Sequence, residues 1–264
     1  MSAHPLPTLS IDGRAARLVL RDPARRNALD ESALAAMRAH IDAARASDAD
    51  VLVLSGEGAA FCAGFDLSLC ADEPLRTKAL LDGLSDCVGA LRALDIPVVA
   101  RVQGAALAGG CALLTACDFV VAAADALLGY PVHRIGISPA VSATTLLSRM
   151  GPRARELMML SEPIDGRRAL AMGLATHCAD GAEALDAETD ALVARLLAKG
   201  PLAMRATKRW MRDIEERMAG DLGRCAPRDA AAMRATRDAS DALVAGDEFA
   251  GMLRAFWAAR AKGR

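Results

Sequence analysis

The sequence predicts an α/β fold: a buried, largely parallel sheet flanked by helices and followed by a helical C-terminal segment. Three observations carry this. Short aliphatic runs alternate with stretches of helical periodicity over the first two thirds of the chain. Those runs are mostly apolar instead of alternating, which marks strands covered on both faces. Beyond about Gly181 only helical spacing remains.

In chain order, the strands are predicted at residues 16–20, 51–54, 97–102 and 118–122, with a short one at 127–129. Between the first two, Leu34, Met37, Ile41 and Ala44 recur at helical spacing behind Asp30, whose carboxylate suits an N-cap. Leu80, Leu84, Val88 and Leu91 repeat the pattern in a second helix. Gly200-Pro201 opens a C-terminal helix, because proline fits the first turn, where its missing N–H costs no hydrogen bond. Met204, Met211, Ile214 and Met218 share one face of it, Gly220 is its expected stop, and a last helix is predicted over 247–260. The chain thus divides into an α/β core at 1–195 and a helical region at 196–264, which should pack on the core or on a neighbouring subunit.

Composition excludes several function classes. A length of 264 residues with 53% apolar and 3% aromatic content supports one large core of Ala, Leu, Val and Met, and leaves little room for two independent domains. A formal charge of −1 provides no global field for nucleic acid or an anionic membrane. From Arg195 onward there are 15 basic against 9 acidic residues, a tail that reads either as a solvated helical surface or as a place for a polyphosphate. The seven cysteines include no CxxC and no metal-ligand spacing, and several sit in apolar runs, as small core residues do in a reducing cytosol. No basic stretch leads into an apolar block at the N-terminus, and the longest uncharged run, 16 residues, is too short to span a bilayer. A cytoplasmic protein without a resident metal is expected.

Two glycine-bearing turns hold the chemistry. One is Val51-Leu-Val-Leu-Ser-Gly-Glu-Gly-Ala-Ala-Phe-Cys-Ala-Gly-Phe-Asp66, and the other is Pro97-Val-Val-Ala-Arg-Val-Gln-Gly-Ala-Ala-Leu-Ala-Gly-Gly-Cys-Ala-Leu113. Backbone N–H groups converging from two such turns can stabilise an oxygen that gains negative charge. Gly109-Gly110 precede a plausible helix whose dipole would add to that field. By pattern alone each is equally an ordinary strand-to-helix turn. Neither has the Gly-Lys-Ser/Thr of a P-loop or the GxGxxG of a dinucleotide turn.

Phe61-Cys-Ala-Gly-Phe-Asp-Leu67 resembles the F-x-A-G-x-D-L/I element of the enoyl-CoA hydratase/isomerase (crotonase) superfamily, and Gln103-Gly-Ala-Ala-Leu-Ala-Gly-Gly-Cys-Ala-Leu113 resembles its G-x-x-x-G-G-G-x-E-L element. Arg25-Arg-Asn-Ala-Leu29, Ala116-Cys-Asp118 and Gly166-Arg-Arg-Ala-Leu-Ala-Met-Gly-Leu174 are similar to further landmarks, in the right order, and Lys208 stands where a lysine is common. The resemblance covers residues 9–260. It implies a spiral of repeated ββα units with a helical C-terminal trimerisation region, assembled as trimers or dimers of trimers. The implied partner is an acyl-CoA thioester, with coenzyme A as part of the substrate and no permanently bound cofactor. The implied oxyanion donors are the N–H groups of Phe65 and Gly109; Ala63 would approach the adenine, and Arg25 or Arg26 the phosphates.

The resemblance also exposes two departures. The hydratases' two catalytic glutamates fall at Ala112 and Val132, which cannot transfer protons. No acid occurs in Pro139-Ala-Val-Ser142, where some relatives place one. The candidate substitutes are Tyr130 and His133. Tyr130 would share a strand face with Val132, whereas His133 would point away from it. Asp66, Asp82 and Asp86 read as turn or helix-surface residues. Three readings therefore stand: a hydratase/isomerase-like enzyme without the usual glutamate pair, a malonyl-type decarboxylase or thioester hydrolase, and a non-catalytic acyl-CoA-binding protein.

Overall fold

The computed structural model describes residues 4–68, 70, 73–221 and 246–262. Its strands are β1 (Thr8–Asp12), β2 (Ala15–Leu20), β3 (Val51–Gly56), β4 (Val98–Val102), β5 (Ala105–Leu107), β6 (Phe119–Ala123), β7 (Leu127–Gly129), β8 (Ile164–Asp165) and β9 (His177–Ala179). Six form one sheet in the order β1-β2-β3-β4-β6-β9, and three form a second in the order β5-β7-β8. In the large sheet only β1 is antiparallel to its neighbour; β2 to β9 run parallel, with Leu52 opposite Val98 and Val99 opposite Phe119. The predominantly apolar runs are explained by this layout. Strands β3, β4 and β6 are buried on both faces, so neither face requires polar residues.

All five predicted strands are present, each shifted or extended by no more than two residues. Four others carry no readable pattern. β1 is an edge strand with most residues exposed, and β5, β8 and β9 are two or three residues long, held by pairing partners distant in sequence.

The helices are α1 (Glu31–Ala46), α2 (Pro74–Arg92), α3 (Gly109–Thr115), α4 (Ala140–Met150), α5 (Ala154–Leu160), α6 (Gly166–Met172), α7 (Gly181–Leu197), α8 (Pro201–Asp221) and α9 (Asp247–Lys262). Asp30 caps α1 by accepting the Ala33 N–H at 2.8 Å, and the predicted α1 stripe is buried against α2, where Leu80, Leu84, Val88 and Leu91 are buried in turn. The 195/196 boundary falls in the last turn of α7, a helix that packs on β4, β6 and β9.

α8 begins at Pro201 but runs through Gly220 to Asp221, so glycine is not its stop; one helical glycine costs only about 1 kcal/mol. Met211 and Ile214 are exposed, so that part of the predicted apolar face is not buried, while the Met218 side chain and Cys225 lie outside the described residues. Polar contacts fasten α8 instead: Arg205 to Asp50 at 3.1 Å, Lys208 to Asp118 at 2.6 Å and Arg212 to Asp95 at 3.2 Å. α9 buries Leu253 and packs on the short 3-10 turn His133–Ile135.

The six described cysteines are free, and burial pushes the thiols of Cys62, Cys87, Cys111 and Cys117 up to about 12, which makes them inert core residues. Among the described residues no helix is long and apolar enough to cross a membrane.

Candidate active site

The two glycine-bearing turns lie side by side. Phe61 N–H donates to the Gln103 carbonyl at 2.8 Å, Cys62 N–H to Ala105 at 2.9 Å, and Leu107 N–H returns to Cys62 at 3.0 Å. This exchange lays residues 61–65 along β5 and the start of α3. Glycine is required at the contact: a Cβ on Gly110 would stand 2.3 Å from the Cys62 carbonyl oxygen. Gly64, at φ +100°, lies so close that its Cβ would come within 3.1 Å of Ala108 Cβ and 3.7 Å of Gly109 N.

Two side chains clamp the arrangement. Asn27, buried and at φ 55°, directs its amide at the carbonyls of Glu57, Ala60 and Phe61 at 2.9, 2.9 and 3.1 Å, while its Oδ1 accepts the Asp22 N–H at 2.8 Å. Gln103 donates to Gly56 at 2.6 Å and to Gly58 at 3.0 Å. Sequence reading placed both residues in landmarks without assigning them a role. The available signal was chemical, since asparagine tolerates the left-handed region and its amide mimics a backbone turn.

A cavity of about 790 Å³ opens between these turns, α2, α4 and α9. Phe65, Gly109, Ala112, Tyr130 and Val132 all stand on its wall. Among the described residues neither the Phe65 nor the Gly109 N–H donates a backbone hydrogen bond, although Asp66 N–H reaches Leu29 at 2.9 Å and Ala112 N–H reaches Ala108 at 2.9 Å. Gly109 is the first residue of α3, where the N–H has no intrahelical acceptor and the helix dipole is positive. Ala108, just before it, is held at φ 50° and ψ −113°, a conformation that glycine adopts freely and alanine does not.

The adjacent arginines differ. Arg25 donates to three carboxylates, Asp22 at 2.6 Å, Asp66 at 2.6 Å and Asp30 at 3.0 Å, so its guanidinium is fully engaged. Arg26 is exposed on the cavity wall, with no ion pair among the described residues. Ala63 is also on the wall, its N–H donating to the Arg26 carbonyl at 3.0 Å.

Tyr130 and His133 part company too. Tyr130 is 1% exposed, and its hydroxyl, sealed behind the cavity surface near Ser142 and Cys111, makes no hydrogen bond of normal geometry. Burial pushes its pKa well above the ordinary value. His133 is exposed outside the cavity wall and hydrogen-bonds the Ser161 hydroxyl through Nδ1. The strand geometry expected to place Tyr130 and Val132 on one face does not extend past Gly129. Val132 is in the α region and residues 133–135 form the 3-10 turn, so it is this turn that sends His133 away from Val132. On α2, Leu81 and Leu84 reach the wall while Asp82 and Asp86 do not.

Residues 11–224 match the family described as enoyl-CoA hydratase/isomerase. The chain belongs to that family. It is 33% identical over 202 residues to the 2,3-dehydroadipyl-CoA hydratase of Escherichia coli, covering 75% of this chain and 78% of that one. It is 32% identical over 205 residues to the crotonyl-CoA hydratase of Syntrophomonas wolfei, covering 76% and 78%. An enoyl-CoA hydratase/isomerase from Xanthobacter autotrophicus Py2 has the same fold, with a TM-score of 0.82, 27% identity and 96% and 93% coverage. The fold is therefore the crotonase-like α/β one, and the chain is an enzyme of the hydratase/isomerase family.

The wall of this cavity is poor in acid. Ala112 and Val132 are 1% and 8% exposed, leaving Asp66 as the one carboxylate among the described lining residues. Burial raises the Asp66 pKa, but hydrogen bonds from Ser68 and Arg25 outweigh it and hold the group below its ordinary range. It stays ionised and paired near neutral pH, a poor proton shuttle.

Proposed function

We propose that the chain binds acyl-CoA thioesters with the carbonyl oxygen between the N–H groups of Phe65 and Gly109, and stabilises the enolate that forms there without a glutamate pair. The observation that carries this reading is two unengaged N–H groups on one cavity whose only described carboxylate is held by an arginine. Each such donor contributes about 2.7–4 kcal/mol of transition-state stabilisation. Arg26, with no carboxylate partner, suits the coenzyme A phosphates better than Arg25, and Ala63 beside it leaves room for the adenine. Leu81, Leu84, Ile135 and Ile137 suit an apolar acyl chain.

One observation favours a second reaction class. Decarboxylation of a malonyl-type thioester breaks the bond to the carboxylate, releases carbon dioxide and leaves the electron pair in the enolate. No base is needed, which fits a wall without a free carboxylate. The α-carbon then takes one proton, from water or from Tyr130, whose hydroxyl is sealed in this structure and would have to be uncovered by the bound thioester to donate.

A panel of crotonyl-, methylmalonyl- and 3-hydroxybutyryl-CoA tests this reading. Enolate stabilisation predicts proton exchange at the α-carbon, or decarboxylation, with crotonyl-CoA hydration at least a hundredfold below that of a two-glutamate relative. Tyr130→Phe should lower turnover while leaving the thioester dissociation constant unchanged. Hydration at the ordinary rate, unaffected by that substitution, defeats the proposal. Binding without any turnover points to a non-catalytic acyl-CoA-binding role.

The exposed Trp210, Met211 and Ile214 on one face of α8 support a subunit interface, which fits a trimer or dimer of trimers. Light scattering of the purified chain would return three or six times the 27.5 kDa subunit mass.

A further inference from the structure

A second cavity, of about 320 Å³, lies between α3, α4 and α8 and shares no lining residue with the first. α3 and α4 separate the two: Ala112 and Ser142 face the larger one, Thr115 and Thr145 the smaller, and these two threonine hydroxyls hydrogen-bond each other at 2.6 Å.

The charges around the smaller cavity do not balance. Among the described residues, four cations, Arg92, Arg149, Lys208 and Arg212, meet two carboxylates, Asp118 and Glu215, an excess of two positive charges. Lys208 is paired with Asp118 at 2.6 Å, and Arg92 with Glu215 at 3.2 Å. Among the described residues Arg149 has no carboxylate partner. Its Nε donates to the Leu174 carbonyl at 2.8 Å and its Nη1 to that of Cys117 at 2.5 Å. Arg212 uses Nη2 on Asp95 at 3.2 Å, but Asp95 also faces Arg209 at 3.6 Å and so does not cancel the excess. The Nη1 of Arg212 is buried and has no hydrogen-bond partner. Burying a guanidinium without a counter-charge is costly, and so is burying a donor without an acceptor. Burial lowers the Arg149 pKa, and nearby groups including Asp118 restore it only in part.

We propose that this cavity binds a small dianion of the inorganic phosphate or short dicarboxylate class, held by Arg149 and by the unpartnered Nη1 of Arg212. Two negative charges match the excess, and charge-assisted hydrogen bonds to guanidinium are about twice as strong as neutral ones. The volume is at the small end of ligand cavities and suits a small oxyanion with its water, not a nucleotide. The bound ion would tie α4 to α8 behind the acyl cavity.

Titration of the full chain with inorganic phosphate and, separately, succinate, against sodium chloride at equal ionic strength, tests the assignment by calorimetry and melting temperature. The expected result is saturable binding of one anion per chain and a rise in melting temperature that chloride does not produce; the two arms show which class is preferred. Arg212→Gln should weaken binding at least tenfold. Arg149→Met should abolish it, but that variant also loses two carbonyl contacts and can unfold, so Arg212→Gln with an unchanged circular dichroism spectrum is decisive. No saturable binding by the folded wild type overturns the proposal. So does binding that Arg26→Gln removes and Arg212→Gln leaves unchanged, because that anion would occupy the acyl-CoA cavity.

Discussion

Arg25 and Asp66 form a 2.6 Å ion pair that ties the loop before α1 to the turn bearing the Phe65 N–H. The same guanidinium holds Asp22 and Asp30, so one side chain sets the relative position of three segments around the mouth of the site.

Removing that cation should produce a distinctive pH response. In the wild type, burial raises the pKa of Asp30 and Asp66, but hydrogen bonds outweigh it, from Ser32, Ala33 and Arg25 for Asp30 and from Ser68 and Arg25 for Asp66, and both end below the ordinary 3.8. Their stabilisation is therefore present at neutral pH and is lost as pH falls through their folded values, below 3.8. In Arg25→Met, burial acts with less opposition. The variant should lose about 1–2 kcal/mol at pH 7, less than the 3–5 kcal/mol of a fully buried pair, and recover part of it toward pH 5. Urea unfolding of both proteins across pH 4–8 measures this; parallel curves would refute it.

Adjacent glycines should differ in sensitivity. Gly110→Ala places a Cβ 2.3 Å from the Cys62 oxygen and must push the two turns apart, whereas in Gly109→Ala the nearest atoms are the ends of Leu29 and Phe65 at 3.3 Å, which can yield. A misplaced oxyanion donor costs about 10²–10³ in turnover, so Gly110→Ala should fall by that factor and Gly109→Ala by roughly tenfold or less. Steady-state kinetics on whichever thioester is turned over decides between them.

Ala108 stores strain that glycine would release. Holding alanine at φ 50° and ψ −113° costs about 1–3 kcal/mol, partly offset by the extra chain entropy that glycine loses on folding. Ala108→Gly should therefore gain about 1 kcal/mol in chemical denaturation, and Ala108→Val should lose at least as much.

Restoring acid at the two apolar positions should restore water chemistry. The Ala112→Glu, Val132→Glu double variant places carboxylates on the cavity wall, and general acid–base catalysis is worth about 10²–10⁴ in rate. Crotonyl-CoA hydration should rise by at least a hundredfold, with some loss of stability from burying two acids. No increase in a folded double variant would show that the wall lacks the geometry for water attack.

Much of this was legible in the chain. The stripes of α1 and α2 extend over 11 or 12 residues each, and β3, β4 and β6 are strands of five or six mostly apolar residues, long enough for burial to leave a visible pattern. Gly110 was visible because its close approach to the Cys62 backbone leaves no room for a side chain. Ala112 and Val132 were singled out by their positions within the motifs that the chain resembles, and both lie on the cavity wall. The strand-like alternation assumed for Tyr130, Val132 and His133 does not hold, because the short stretch between Pro131 and Gly136 carries no period and turns instead.

By itself, then, the sequence determined the α/β class, the parallel sheet and the two turns, all of which follow from local composition and spacing. Only the tertiary structure decided which of two adjacent arginines is free, where His133 points, and that the Tyr130 hydroxyl is sealed. Those properties depend on which distant groups meet. Arg25 is engaged because Asp66, 41 residues away, is folded against it, and no local pattern records a partner at that distance.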